Sequence, residues 1–167
     1  MGENKLNVHK TVLISEEQKS KWVRAGGDPN KSIIIPVPVE VPEYDSISYI
    51  SEFGWEDKFV FGMHQRDDIH IFSPVPLEAY DEIENDNTAF LILGGSSNHR
   101  KQVKDYGLKN VKFLDTTSDI ALIHKFLNTL DVYAHGRSDG EQCSSSIIEG
   151  LSHSLPMISH TASSMGQ

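Results

Sequence analysis

The sequence predicts an open α/β domain, a parallel sheet with helices on both faces, on three observations. Five short apolar runs recur between Lys58 and Ile158, each separated from the next by a segment of helical composition. The order is therefore β-α-β-α-β-α-β-α-β, and strands joined through helices pair in parallel and are covered on both sides. The last crossover, finally, passes from the strand at 131–135 through Gly136-Arg137-Ser138-Asp139-Gly140 into an amphipathic segment that ends at Ser154.

Residues 1–7 read as a flexible start, and 8–167 as a single Rossmann-like domain. Val12-Leu13-Ile14 and Ser32-Ile33-Ile34-Ile35 are short strand candidates, with a helix from Glu16 to Ala25 between them and Gly26-Gly27 to stop it. Pro36, Pro38 and Pro42 lack the N–H that regular structure needs and impose an extended connector. Strands follow at Lys58 to Phe61, Ala89 to Leu93, Val111 to Leu114, Val132 to Ala134 and Met157 to Ile158. Helices are expected at Leu77 to Glu84, His99 to Tyr106, Asp119 to Leu130 and Ser144 to Ser154. The acidic run from Asp81 to Asp86 reads as a solvated helix end. A doubly wound domain usually closes with further helix after its last strand, so the chain reads as a fragment of a longer protein.

At 167 residues a self-sufficient core is attainable. A net charge of −9, from 15 Lys and Arg against 24 Asp and Glu, argues against nucleic-acid binding, which depends on clustered cations. Cys143 is the single cysteine, so neither an internal disulfide nor a cysteine zinc site is indicated, and a reducing, cytoplasmic setting is expected. The histidines are scattered without metal-ligand spacing and no Asp-x-Asp occurs, so no metal is expected.

The chemistry concentrates in the last crossover. Glu141 and Glu149 have seven residues between them, and on a helix their eight steps span about 12 Å. In open α/β sheets ligands bind where loops leave the carboxyl ends of the strands, and the free amides of a helix start attract anions. A helix beginning near Cys143 would present the free amides of Cys143 to Ser146 to a pyrophosphate. Glu149 would then accept from ribose hydroxyls and Glu141 from a hexose. The competing reading makes Glu141 a helix cap and Glu149 an exposed helical residue. Cys143 reads as a small residue that permits close approach of a ligand rather than as a nucleophile. A second candidate is the loop Gly62-Met63-His64-Gln65-Arg66-Asp67-Asp68, where Arg66 either meets a phosphate or pairs with a neighbouring acid. Gly94-Gly95-Ser96-Ser97 is either a ligand-facing loop at the same edge or a tight turn.

These residues resemble the C-terminal, donor-binding half of GT-B glycosyltransferases, especially retaining family 4 (glycosyltransferase group 1). The similarity covers most of the chain. Phe59-Val60-Phe61-Gly62 resembles the family's glycine-ended strand, Phe90 to Gly94 the next, and Asn110 to Leu114 the third. Glu141 and Glu149 match its Glu-x7-Glu motif, ahead of Gly150-Leu151-Ser152-His153-Ser154-Leu155-Pro156-Met157-Ile158. The resemblance implies a nucleoside diphosphate sugar as donor substrate, no cofactor, and diphosphate stabilisation by cations and helix amides rather than by a divalent metal. It assigns catalysis to Glu141 and Arg66, and donor binding to Gly62, Arg66, Cys143, Ser144, Ser145 and Glu149. It also implies an N-terminal acceptor-binding domain elsewhere in the parent protein, which would carry any peripheral membrane association, so the isolated chain is expected to be inactive. The sequence departs from the family pattern at Met63, where an Arg commonly follows the glycine, at Asp68 and Ile69, near the usual Lys, and at Cys143-Ser144, which replace Phe-Gly. Two alternatives stand beside it: a non-catalytic nucleotide-sugar-binding module, and half of a nucleotide-sugar epimerase on the same fold.

Overall fold

The computed structural model describes residues 9–39, 46–137 and 144–159. These fall into two compact units, Met1–Pro38 and Val39–Gln167, where the sequence reading treats 8–167 as one domain.

In the first unit, strands β1 (Thr11–Leu13) and β2 (Ser32–Ile34) pair in parallel, with helix α1 (Glu16–Arg24) as the crossover. Ser15 starts α1, its hydroxyl accepting from the Gln18 amide at 3.1 Å, while Gln18 Oε1 accepts from Ile14 N–H at 2.8 Å. Glu16 and Glu17 in the first turn and Lys21 and Arg24 in the last complement the helix dipole.

The second unit holds a five-stranded sheet: β3 (Phe59–Gln65), β4 (Thr88–Gly94), β5 (Val111–Leu114), β6 (Val132–His135) and β7 (Met157–Ser159). Their spatial order is β5-β4-β3-β6-β7 and every pairing is parallel. It is a Rossmann-like α/β fold. Helices α2 (Ile50–Phe53), α3 (Val75–Asp81), α4 (Ser97–Tyr106), α5 (Ile120–Leu127) and α6 (Ser145–Ser152) complete the unit. No helix among the described residues is long and apolar enough to cross a membrane.

Strand alternation assigns the two faces. Phe61 and Phe90 point toward α3, whose Tyr80 ring lies 6.1 Å from Phe61 and 5.3 Å from Phe90. Phe113 lies beneath Arg100 of α4, 4.3 Å from the guanidinium. Gly62, His64 and Tyr133 point the other way, where His64 meets Phe126 of α5 and Gly150 of α6 packs close to Tyr133. Val60, Leu91, Ile92 and Leu127 are completely buried between these layers, which is why β4 reads in sequence as an unbroken apolar run.

Helix α2 was not expected from the sequence. It is a single turn closed by Gly54 in the left-handed conformation; Tyr49 stacks on Phe53 with ring centroids 5.4 Å apart, and Phe53 meets Trp55 edge to face at 4.9 Å. Aromatic packing, not helical periodicity, holds it. Strand β3 likewise runs four residues past Phe61, so Gly62 lies inside the central strand and not in the loop predicted to start there. A Cβ at Gly62 would meet Leu130 Cδ2 at 2.4 Å and the Leu91 carbonyl oxygen at 2.7 Å. Gly62 thus lets the central strand pack against Leu130, just beyond α5. Gly94 and Gly95 have φ of 80° and 77°, and Gly95 N–H donates to Gln65 O at 2.7 Å. They form the tight turn of the two readings offered by sequence, positioned where any side chain on Gly94 would strike the Gln65 carbonyl.

Candidate functional site

The sheet changes direction of travel at β3. From β3 the chain moves outward to β4 and β5, then returns to place β6 on the other side of β3. Such a switch point leaves a crevice at the carboxyl ends of the strands. Here the opening is enlarged, because β3 and β6 pair only at Phe61 with Val132 and at Gly62 with Tyr133 before diverging. The Tyr133 phenol fills the place of the missing ladder: it accepts from His64 N–H at 3.2 Å and donates to the His64 carbonyl at 3.3 Å. Two buried backbone groups are thereby satisfied without closing the strands.

Beyond Tyr133 lies a cleft of about 390 Å³. Its walls are the end of β3 and the following residues up to Arg66, the end of β6 through Arg137, and the first turn of α6 with Glu149. Ser144 caps α6 with a β-region backbone but makes no side-chain cap to the helix amides; its hydroxyl instead pairs with that of Ser146 at 2.7 Å. The first intrahelical bond is Ile148 N–H to Ser144 O, so the amides of Ser145, Ser146 and Ile147 have no acceptor within the helix and carry the positive end of its dipole. Gly150 allows α6 to lie close to the sheet, since a Cβ there would meet Met157 Sδ at 3.1 Å and Tyr133 Cγ at 3.4 Å.

Glu149, one turn into α6, directs its carboxylate back toward β3. Its Oε2 lies 2.7 Å from His64 Nε2, with the His64 side chain 15% and the Glu149 side chain 32% exposed. Behind it, His153 Nδ1 lies 2.9 Å from the Glu149 carbonyl and its ring faces His124 of α5 at 5.0 Å. Burial, reinforced by His124 and His64, holds His153 below the usual histidine range against the opposing influence of Glu149.

The structure brings Ser144, Ser145, Glu149 and Arg66 to the walls of one cleft. Arg66 nevertheless projects largely into solvent, 72% exposed, with its guanidinium 3.5 Å from Asp68. Gly62 is not among the cleft-lining residues. Glu141 and Cys143 lie outside the described residues. Sequence reasoning gave no role to His64, Tyr133 or Arg137. Carrying the period-two pattern of β3 beyond Phe61 puts His64 on the Gly62 face, toward α6, and was the one signal that pointed to it. Among the described residues no group of three His, Cys, Asp or Glu side chains is arranged to hold a metal ion.

No family model and no curated protein matches the sequence. Solved structures do share its fold. HepE from Anabaena in complex with UDP-glucose superposes with a TM-score of 0.80 at 18% identity, over 95% of this chain and 46% of that one. WaaG, a glycosyltransferase involved in lipopolysaccharide biosynthesis, gives 0.70 at 16% identity over 90% of this chain and 44% of its own. The pneumococcal O-GlcNAc transferase GtfA in complex with UDP and GlcNAc gives 0.62 at 15% identity over 91% and 30%. The architecture matches the GT-B glycosyltransferase fold, and the chain spans less than half the length of these proteins.

Proposed function

We propose that this chain is the donor-binding part of a retaining, family 4 type glycosyltransferase that transfers a hexose from a nucleoside diphosphate sugar. The observation that carries this reading is the cleft between the diverging ends of β3 and β6, with the first turn of α6 and Glu149 on one wall. A diphosphate in that cleft would meet the amides at the start of α6, joined by Cys143, and the guanidinium of Arg66. Glu149 would accept from ribose, and Glu141 from the hexose. As the bond to the anomeric carbon breaks, negative charge grows on the leaving diphosphate. Amides already oriented toward it stabilise that charge without rearranging. An acceptor would come from another domain of a longer cytoplasmic protein, so this chain alone would bind but not transfer.

The neighbours' ligands support the same choice of donor: HepE is crystallised with UDP and with UDP-glucose. Calorimetric titration with UDP and UDP-glucose tests it. Both should bind, and either at a hundred times its Kd should stabilise the fold by about 2.7 kcal/mol. If neither binds, the reading fails.

One observation favours a second reading, a binding module without catalysis: Arg66 is engaged by Asp68. Assaying transfer and donor hydrolysis in the full-length protein separates the two.

A further inference from the structure

Glu149 does not enter the cleft as a free carboxylate. Its Oε2 is held by His64 Nε2 at 2.7 Å, while Oε1 makes no hydrogen bond among the described residues. A carboxylate only accepts, so the shared proton belongs to Nε2. The other ring nitrogen, Nδ1, is buried without a hydrogen-bond partner. Such an orphaned atom is a cost, and it accompanies a ring that is tightly confined. The imidazole stands edge-on to Phe126 at 5.7 Å and to Tyr133 at 5.4 Å. Its backbone is tied on both sides by the Tyr133 phenol. His64 is thus a rigid donor set on the central strand, and it faces the one carboxylate that lines the cleft among the described residues.

We infer that His64 is a positioning residue for the donor site: it fixes the Glu149 carboxylate through Oε2 so that Oε1 alone is offered to a hydroxyl of the bound nucleotide's ribose. This rests on the reading that Glu149 meets ribose. A glutamate on a helix surface samples several rotamers, and ordering it only when the ligand arrives would subtract from affinity; His64 orders it beforehand. The remaining oxygen keeps its lone pairs for the ligand. His64 itself needs no contact with the nucleotide.

The test is a double-mutant cycle read by titration with UDP and, separately, with inorganic pyrophosphate, which has no ribose. His64→Leu should weaken UDP by about fivefold or more, yet change UDP affinity by less than about twofold when Glu149 is already alanine. Pyrophosphate affinity should not respond. His64→Gln, whose amide nitrogen can take the place of Nε2, should restore most of the UDP affinity, whereas His64→Asn, which places its amide nearer Nδ1, should not. The Gln and Asn pair carries the comparison if the Leu variant does not fold. Equal losses with and without Glu149, a parallel loss of pyrophosphate binding, or unchanged UDP affinity in His64→Leu would each overturn the assignment. Failure of the wild-type protein to bind UDP at all would instead remove the functional reading on which it stands.

Discussion

His64 on the central strand and Glu149 on the last helix, 85 residues apart in sequence, are joined by a 2.7 Å contact between Nε2 and Oε2. This contact ties β3 to α6 across the crevice where the sheet reverses direction. The wall that would meet a ligand is therefore fixed by the two elements that flank the switch point.

Gly62→Ala should destabilise the fold rather than act on a ligand. The new methyl would meet two neighbours, of which the Leu130 side chain can swing aside but the Leu91 carbonyl, part of β4, cannot. Overpacking of this kind costs about 1–3 kcal/mol. The urea midpoint should fall while the slope of the transition stays constant. An unchanged midpoint with weaker nucleotide binding would return Gly62 to the ligand-facing role the sequence assigned it.

The sheet was legible because its strands are short apolar runs that stand out from the helical segments between them, most clearly in β4, where six of seven residues are buried; Val111–Leu114 matches its expected bounds. The true end of β3 was not legible. Gly62-Met63-His64-Gln65 lacks an apolar run, and these residues are strand because β4 pairs with them as far as Gly94. That tertiary pairing moved His64 from an expected loop onto the sheet beside Glu149. Helix α2 escaped for a related reason, since four residues carry no period and its aromatic stack is visible only in three dimensions. Of the candidate site, the sequence singled out Glu149 and the serines at the start of α6, through the motif rather than through spacing alone. Its histidine partner was not, because nothing in sequence links positions 64 and 149.

Stability should decline as pH falls below about 6.5, with His99 as one cause. Its ring is completely buried, and its Nδ1 accepts from the Ser96 amide at 3.0 Å at the start of α4. Burial pushes its pKa down, despite opposing contributions from the Ser73 backbone and Asp67. The unfolded chain therefore binds this proton at higher pH than the folded one, and stability is lost as pH drops from the unfolded value through the folded value. His153 is shifted in the same direction. His99→Gln keeps a side-chain acceptor for Ser96 but cannot titrate. Comparing denaturant midpoints at about pH 7.5 and pH 5.5, the variant should show a smaller drop than wild type; an equal drop would clear His99 of the effect.

Arg66→Ala separates a surface ion pair from a ligand contact. With the side chain 72% exposed and its partner Asp68 3.5 Å away, stability should change by no more than about 0.5 kcal/mol. If Arg66 turns to a diphosphate, UDP affinity should nevertheless fall by about tenfold or more, the loss of one charged hydrogen bond. Unchanged UDP affinity would leave Arg66 serving only Asp68.

The two glutamates of the motif should respond differently, because their proposed partners lie at opposite ends of the donor. Glu149→Ala should weaken UDP and UDP-glucose alike, since both carry ribose. Glu141→Ala should weaken only UDP-glucose. Each loss removes a hydrogen bond to a charged group, about 1.5–3 kcal/mol, and so should appear as about tenfold or more in Kd. Removing Glu149 also frees His64 Nε2 from its acceptor, so part of the Glu149 effect will show as lower thermal stability. Titration with inorganic pyrophosphate separates that contribution, because a general loosening of the wall lowers pyrophosphate affinity too, whereas loss of the ribose contact does not. A Glu141 variant that loses UDP as strongly as UDP-glucose would overturn the assignment of Glu141 to the sugar, and since Ser144 is the cap of α6, the cap reading does not replace it.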